Sequence, residues 1–309
     1  MGRALKPVRI FAAGLLLGGL AIWAALYVRS SSASAATAAF SVEQVALTTG
    51  DGALLDGILY RPTNKPRSSA ILLVHGFGSN FYSGYFPSFA QAAAKQRYAS
   101  LALNMRDHDT GPKVYDFIDN EADIAAGSAY LRKLGYPRLV LLGQSMGTNR
   151  VLYYQAATGD PSIAATVLVS GPGNLFEWNV WQFGRQKAQA TVDQALAMQV
   201  AGQENQLMLI DLGPLGKALY TAGYLLSLRG PNAQSDPYRN IQKVRNPVLI
   251  VQGTADNLIE PNIAARLKRA ATSSPRVDLI YVDGADHSFR KQEAVLAQRI
   301  LAWLKEAAP

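Results

Sequence analysis

The chain has 309 residues, of which 49% are hydrophobic and 17% charged, with 30 Lys and Arg against 22 Asp and Glu. That composition supplies a sizeable core and excludes global disorder. The absence of cysteine excludes disulfides, thiolate metal sites, a cysteine nucleophile and a lipid-bearing cysteine.

The net charge of +8 is unevenly spread: Arg3, Lys6, Arg9 and Arg29 all precede the first acidic residue, Glu43. No basic run interleaved with aromatics follows. The excess therefore reads as a targeting feature, and no nucleic-acid partner is expected. Residues 10–28 carry no charge, and a helix of that length roughly spans a bilayer core. The basic residues before it keep the N-terminus cytoplasmic and send the rest across. Trp23 and Tyr27 suit the far interface. The following SSASAATAA stretch offers cleavage choices such as Ala33-Ser34-Ala35. A cleaved signal peptide and a retained single-helix anchor both stay open. Either makes residues 1–40 a targeting segment with a small-residue linker. Either also sends residues 41–309 to a periplasmic or extracellular location, held to the membrane if uncleaved.

Past this segment, strand and helix patterns alternate. Residues 42–47 and 53–60 read as strands around the turn Thr49-Gly50-Asp51-Gly52. Residues 70–74 (AILLV) form a wholly apolar run, as a strand covered on both faces requires. A helix is predicted over 81–96, a strand over 99–104, a helix over 121–134 and a buried strand over 139–142. A helix over 148–157 and a strand over 165–169 follow. After a gap come strands at 248–251 and 277–282 and helices at 263–271 and 292–306. The alternation predicts an α/β fold with a mainly parallel sheet and helices on both faces.

The gap spans roughly seventy-five residues, too many for a structureless loop in a compact domain. It has helical patches and no clear apolar strand run. A helical insertion packed over the sheet edge, at about 173–245, is expected. Its Trp178, Trp181, Tyr220 and Tyr224 read as packing residues.

The chemistry-bearing residues gather at strand ends. Gly143-Gln144-Ser145-Met146-Gly147 is a G-x-S-x-G pentapeptide between an apolar strand and a helix. Such a turn holds its serine in a strained conformation, and small neighbours permit the close approach on either side. The helix N-terminus beside it favours developing negative charge. A serine hydroxyl needs a base and a partner to orient that base. His287, in Gly284-Ala285-Asp286-His287, follows the last strand, and Asp256, in Gly253-Thr254-Ala255-Asp256, follows the strand before it. Both loops leave the carboxyl edge of the sheet, where the Ser145 loop also lies. Asp283 and Asp286 are rivals for the acid role, although Asp286 abuts His287 and is poorly placed to orient its ring. In His75-Gly76-Phe77-Gly78, the glycines let backbone approach a reacting carbonyl. The Phe77 and Met146 N–H groups are the candidate oxyanion hole. His75 reads as a hydrogen-bonder within its turn. His108, in Arg106-Asp107-His108-Asp109, stays open as a rival base, and both histidines are candidate substrate contacts. No metal-ligand spacing, P-loop or G-x-G-x-x-G occurs, so neither metal nor cofactor is expected.

VHGFG, GQSMG, GTAD and GADHSF, in that order between those strands, resemble the α/β-hydrolase superfamily of serine esterases, lipases and related peptidases, over about 42–304. The resemblance implies an eight-stranded, mainly parallel sheet with a cap inserted after the sixth strand. It implies Ser145 as nucleophile, Asp256 as acid, His287 as base, and Phe77 with Met146 as oxyanion donors. The serine at the turn argues against dehalogenase-like members, which use aspartate there. NMRDHDTGP departs from the R-G-x-G-like loop of monoglyceride-lipase and aminopeptidase relatives. The function expected is hydrolysis of a small-molecule carboxylic ester through an acyl-enzyme. An amidase, peptidase or acyltransferase on the same triad, and a non-catalytic binding protein of this fold, are the alternatives.

Overall fold

The computed structural model describes residues 39–308. The basic and apolar N-terminal segment lies outside the described residues. Among the described residues, no helix is long and apolar enough to cross a membrane.

Ten strands and nine α-helices follow in order among the described residues. β1 (Phe40–Thr48) and β2 (Leu54–Pro62) form an antiparallel hairpin. The Thr49 hydroxyl closes its turn by accepting from the Ala53 N–H at 2.8 Å. β3 (Ser69–Val74), β4 (Ala99–Leu103), β5 (Arg138–Gln144), β6 (Ile163–Val169), β9 (Val248–Gly253) and β10 (Val277–Val282) complete the main sheet. The order is β1-β2-β4-β3-β5-β6-β9-β10. β2 runs antiparallel to both neighbours, and every pairing from β4 to β10 is parallel. This is the α/β-hydrolase fold.

The sheet stands between two helical layers, and the sequence of its central strands shows why. All six residues of β3 are buried, because side chains alternate between two covered faces. Leu72 and Val74 enter the core under α2 (Asn120–Lys133), α3 (Met146–Thr158) and α8 (Ile263–Ala270). Ile71 and Leu73 enter the opposite core, under α1 (Phe86–Lys95) and α9 (Glu293–Ala307). Each such side chain contributes about 1.5–3 kcal/mol by leaving water. α1 starts five residues later than its pattern predicts. Asn80 Oδ1 accepts from the Tyr82 N–H and the Ser83 hydroxyl, holding the preceding chain in a turn. Pro87 then occupies the first turn of α1, where its missing N–H is not needed.

The insertion between β6 and β9 contains α4 (Leu175–Phe183), α5 (Arg185–Val200), α6 (Ala222–Arg229) and α7 (Pro237–Ile241). It also contains an antiparallel hairpin, β7 (Leu207–Asp211) and β8 (Lys217–Thr221), where only helices are expected. Met208, Ile210, Ala218 and Tyr220 face inward, and Leu207, Leu209 and Leu219 face out. Lys113, in the loop after β4, bridges to Tyr220 as a short parallel addition to this hairpin. The Lys113 N–H donates to the Leu219 carbonyl at 2.8 Å, and the Thr221 N–H to the Lys113 carbonyl at 2.9 Å.

Candidate active site

Ser145 lies between β5 and α3 with φ 53° and ψ −126°, a backbone conformation that non-glycine residues rarely hold. Its N–H donates to the Val169 carbonyl at 2.9 Å, and its own carbonyl accepts from the N–H and hydroxyl of Thr148. These bonds fix the peptides on both sides. A Cβ on Gly147 would strike the Val74 and His75 carbonyls, and one on Gly143 would strike the Thr148 nitrogen. The pentapeptide needs glycine at both ends because neighbouring backbone passes within contact distance. The loop after β3 presses against the serine as well: a Cβ on Gly76 would lie 2.8 Å from the Ser145 Cβ.

His287 and Asp256 meet across two loops at the carboxyl ends of β10 and β9. His287 Nδ1 lies 2.8 Å from Asp256 Oδ2. That same oxygen accepts from Gln252 Nε2 at 2.9 Å, and Oδ1 accepts from the Leu258 N–H at 3.0 Å. The carboxylate is fully buried and the imidazole nearly so. The Ala255 N–H donates to the Ala285 carbonyl, stitching the two loops together. The rival carboxylates are engaged elsewhere. Asp283 accepts from the Thr254 hydroxyl, and Asp286 accepts from the Ser288 and Arg290 N–H groups and from Arg290 Nε.

One cavity joins these loops: Ser145, Met146, Phe77 and His287 all line it. Leu175 and Trp178 of α4 line it from the insertion, as do Leu212, Leu215 and Tyr220 of the hairpin. Trp178 is anchored by its indole N–H, which donates to the Leu258 carbonyl at 2.7 Å. Its empty volume is about 450 Å³, part of it open to solvent. Ser145, an imidazole backed by a carboxylate, and Phe77 with Met146 therefore line one largely apolar chamber.

The other two histidines stand apart from this chamber. Buried His75 accepts the Met105 N–H at Nε2 and lies 2.7 Å from the Gly76 carbonyl through Nδ1, so Nδ1 carries its proton. Burial first, then the charge of Arg150, pulls its pKa down to about 3, and it is neutral at ordinary pH. His108 is partly exposed and paired through Nδ1 with Asp109 at 2.7 Å.

A buried polar network behind the β3 loop escapes sequence reasoning. Arg150 Nη2 donates to both Asp107 oxygens at 2.6 and 2.7 Å, and Arg150 Nη1 donates to the His75 carbonyl at 3.0 Å. The Tyr224 hydroxyl, from the insertion, donates to Asp107 Oδ2 at 2.7 Å. Burial opposes the Asp107 charge, but Arg150 and Tyr224 hold its carboxyl below the usual range. The buried Lys113 ammonium donates to the carbonyls of Asp107, His108 and Asp109 and stands 5.5 Å from the centre of the Phe77 ring. The apolar surroundings of the Arg150 position carried the only hint: a charge inside such a helix face needs a partner.

Residues 71–299 match the model of the alpha/beta hydrolase family. No curated protein matches the sequence. Among solved structures, the esterase domain of a Rhodothermus marinus protein is similar at 20% identity and a TM-score of 0.59, covering 85% of this chain and 98% of that one. Est1E from Butyrivibrio proteoclasticus is similar at 17% identity and a TM-score of 0.63, covering 85% of this chain and 98% of that one. A Pyrococcus furiosus esterase is similar at 18% identity and a TM-score of 0.60, over 87% of this chain and 93% of its own. Likeness at such identities speaks for the fold, and the match over most of the sequence assigns the kinship: the chain belongs to the alpha/beta hydrolase family.

Proposed function

We propose that the protein is a serine hydrolase that cleaves carboxylic esters through an acyl-enzyme. The observation that carries this reading is the convergence of Ser145, on its strained turn, and Asp256-backed His287 on one cavity. Ser145 Oγ attacks the ester carbonyl carbon while His287 Nε2 takes the hydroxyl proton. The developing oxyanion is met by the Phe77 and Met146 N–H groups. Asp256 holds the proton on Nδ1 and stabilises the imidazolium. The tetrahedral adduct collapses, the imidazolium protonates the departing alkoxide, and the alcohol leaves. Water then attacks the acyl-serine with His287 as base, releasing the acid and restoring Ser145. The apolar walls favour an ester with an apolar acyl or alcohol part. The N-terminal pattern supports placing this activity on the exported side of a membrane.

The test is labelling of the full-length protein with a fluorophosphonate, read by intact mass. One adduct is expected, lost in Ser145→Ala, with p-nitrophenyl esters turned over well ahead of aminoacyl anilides. An unlabelled protein overturns the reading, and preferential cleavage of the anilides replaces it with an amidase.

A further inference from the structure

Arg229 closes α6 and is only 6% exposed, yet its Nε and Nη1 are buried without a hydrogen-bond partner. Neighbouring carboxylates are already engaged: Asp107 with Arg150 and Tyr224, Glu177 with Arg266, and Asp236 with Arg239. Its neighbour is Tyr220, whose hydroxyl interacts with the guanidinium and whose ring centre lies 5.7 Å from Cζ; no carboxylate among the described residues pairs with it. A buried guanidinium without an anion is costly, because desolvation is not offset by pairing. Proteins keep such a group where something arrives to pair with it.

Arg229 reaches the Ser145 cavity. It lines that cavity, and with Leu228 and Gly230 it also lines a neighbouring hollow that holds Glu177 and Asp236. Apart from Arg229 and His287, the side chains facing the Ser145 cavity are uncharged, and several are apolar, among them Met146, Leu175, Trp178 and Leu212. A single planar fork of donors beside apolar walls matches a carboxylate, which accepts two parallel N–H bonds and brings one negative charge. A phosphate dianion would bring a second charge with no partner.

We infer that Arg229 is a carboxylate-binding residue of the Ser145 cavity, selecting esters whose reacting carbonyl is joined through a short apolar chain to a free carboxylate. The word "ester" rests on the proposed function, whereas capture of the anion does not, and the test separates them. Apolar walls hold the chain, and the guanidinium fixes its far end, so the carbonyl is delivered to Ser145 in one register.

The test uses the full-length Ser145→Ala protein, which holds an ester without consuming it. Calorimetry near pH 7.5 compares the monomethyl esters of succinic, glutaric and adipic acid with their dimethyl counterparts. For at least one chain length, the monoanion is expected to bind about tenfold or more tightly than the neutral diester, as a charge-assisted pair supplies. Arg229→Met should bring that ratio close to one, and Arg229→Lys should keep part of it. Three pairs that bind alike, monoanions with no measurable binding, or a ratio that survives Arg229→Met each overturn the inference. If Arg229→Met does not fold, the ligand comparison with Arg229 intact still decides. Discrimination in a protein that no fluorophosphonate labels sinks the ester reading and keeps the anion site. Labelling without discrimination does the reverse.

Discussion

Arg150 and Asp107 are paired out of reach of solvent, with one guanidinium nitrogen 2.6 and 2.7 Å from the two carboxylate oxygens. Arg150 belongs to the helix that begins after Ser145, and Asp107 belongs to the loop after β4. The pair thus ties the helix that follows Ser145 to the loop that carries Lys113. Removing one partner strands the other charge in the interior. Asp107→Asn is expected to lower unfolding free energy by about 3–5 kcal/mol, read as a shifted midpoint in urea. A change below about 1 kcal/mol would show that the network is dispensable.

His75 gives the stability a pH dependence of defined sign. Its pKa is about 3 in the fold against an ordinary 6.5, so the unfolded chain takes up a proton that the folded chain refuses. Stability is full above about pH 6.5 and is lost as pH falls toward 3, by up to about 1.4 kcal/mol per pH unit. Carboxylates held low, such as Asp107, add their own loss only below about pH 4. Urea midpoints between pH 7 and 4.5 should therefore fall, and His75→Gln should flatten that slope. Equal slopes in the two proteins would remove His75 as the source.

Asp256→Asn tests the hydrogen bond behind His287. The amide can present N–H to Nδ1 and so favour the tautomer whose Nε2 already carries a proton, which cannot take one from Ser145. Turnover of a p-nitrophenyl ester should fall by about 10³–10⁴-fold. Asp286→Asn, whose carboxylate serves its own loop, should stay within about threefold, as changes away from special features do. Comparable losses in both variants would reopen the choice of acid.

Ser145 carries strain that glycine would release. At φ 53° and ψ −126°, a residue with a Cβ is destabilised by about 1–3 kcal/mol. Ser145→Gly should raise the thermal midpoint while abolishing turnover, and Ser145→Ala should abolish turnover without that gain. A Ser145→Gly protein less stable than Ser145→Ala would mean the turn is unstrained.

Much of this is legible in the sequence because particular segments leave no choice. Ser69–Val74 must be a doubly covered strand, since an apolar run that short has nowhere else to put both faces. The meeting of Asp256 with His287 is foreseeable from two loops leaving one edge of a parallel sheet. β7 is hidden because Leu207 and Leu209 point outward and erase the alternation that would mark LMLID as a half-buried strand. The start of α1 is hidden because the turn that delays it hangs on the Asn80 side chain. Arg150 and Asp107 are invisible as a pair, since they stand 43 positions apart in elements whose local patterns say nothing of each other. Arg229 is likewise silent, because its burial beside Tyr220 without a carboxylate is a property of the folded interior alone.

Lys113 is woven into the hairpin through its backbone while its ammonium grips three carbonyls of the loop behind β4. Roof and foundation are thereby riveted at this corner. Lifting the hairpin as a trapdoor would tear out two main-chain bonds and leave a cation stranded in a dry interior. The hairpin side of the Ser145 cavity is therefore a fixed wall and not a hinged one.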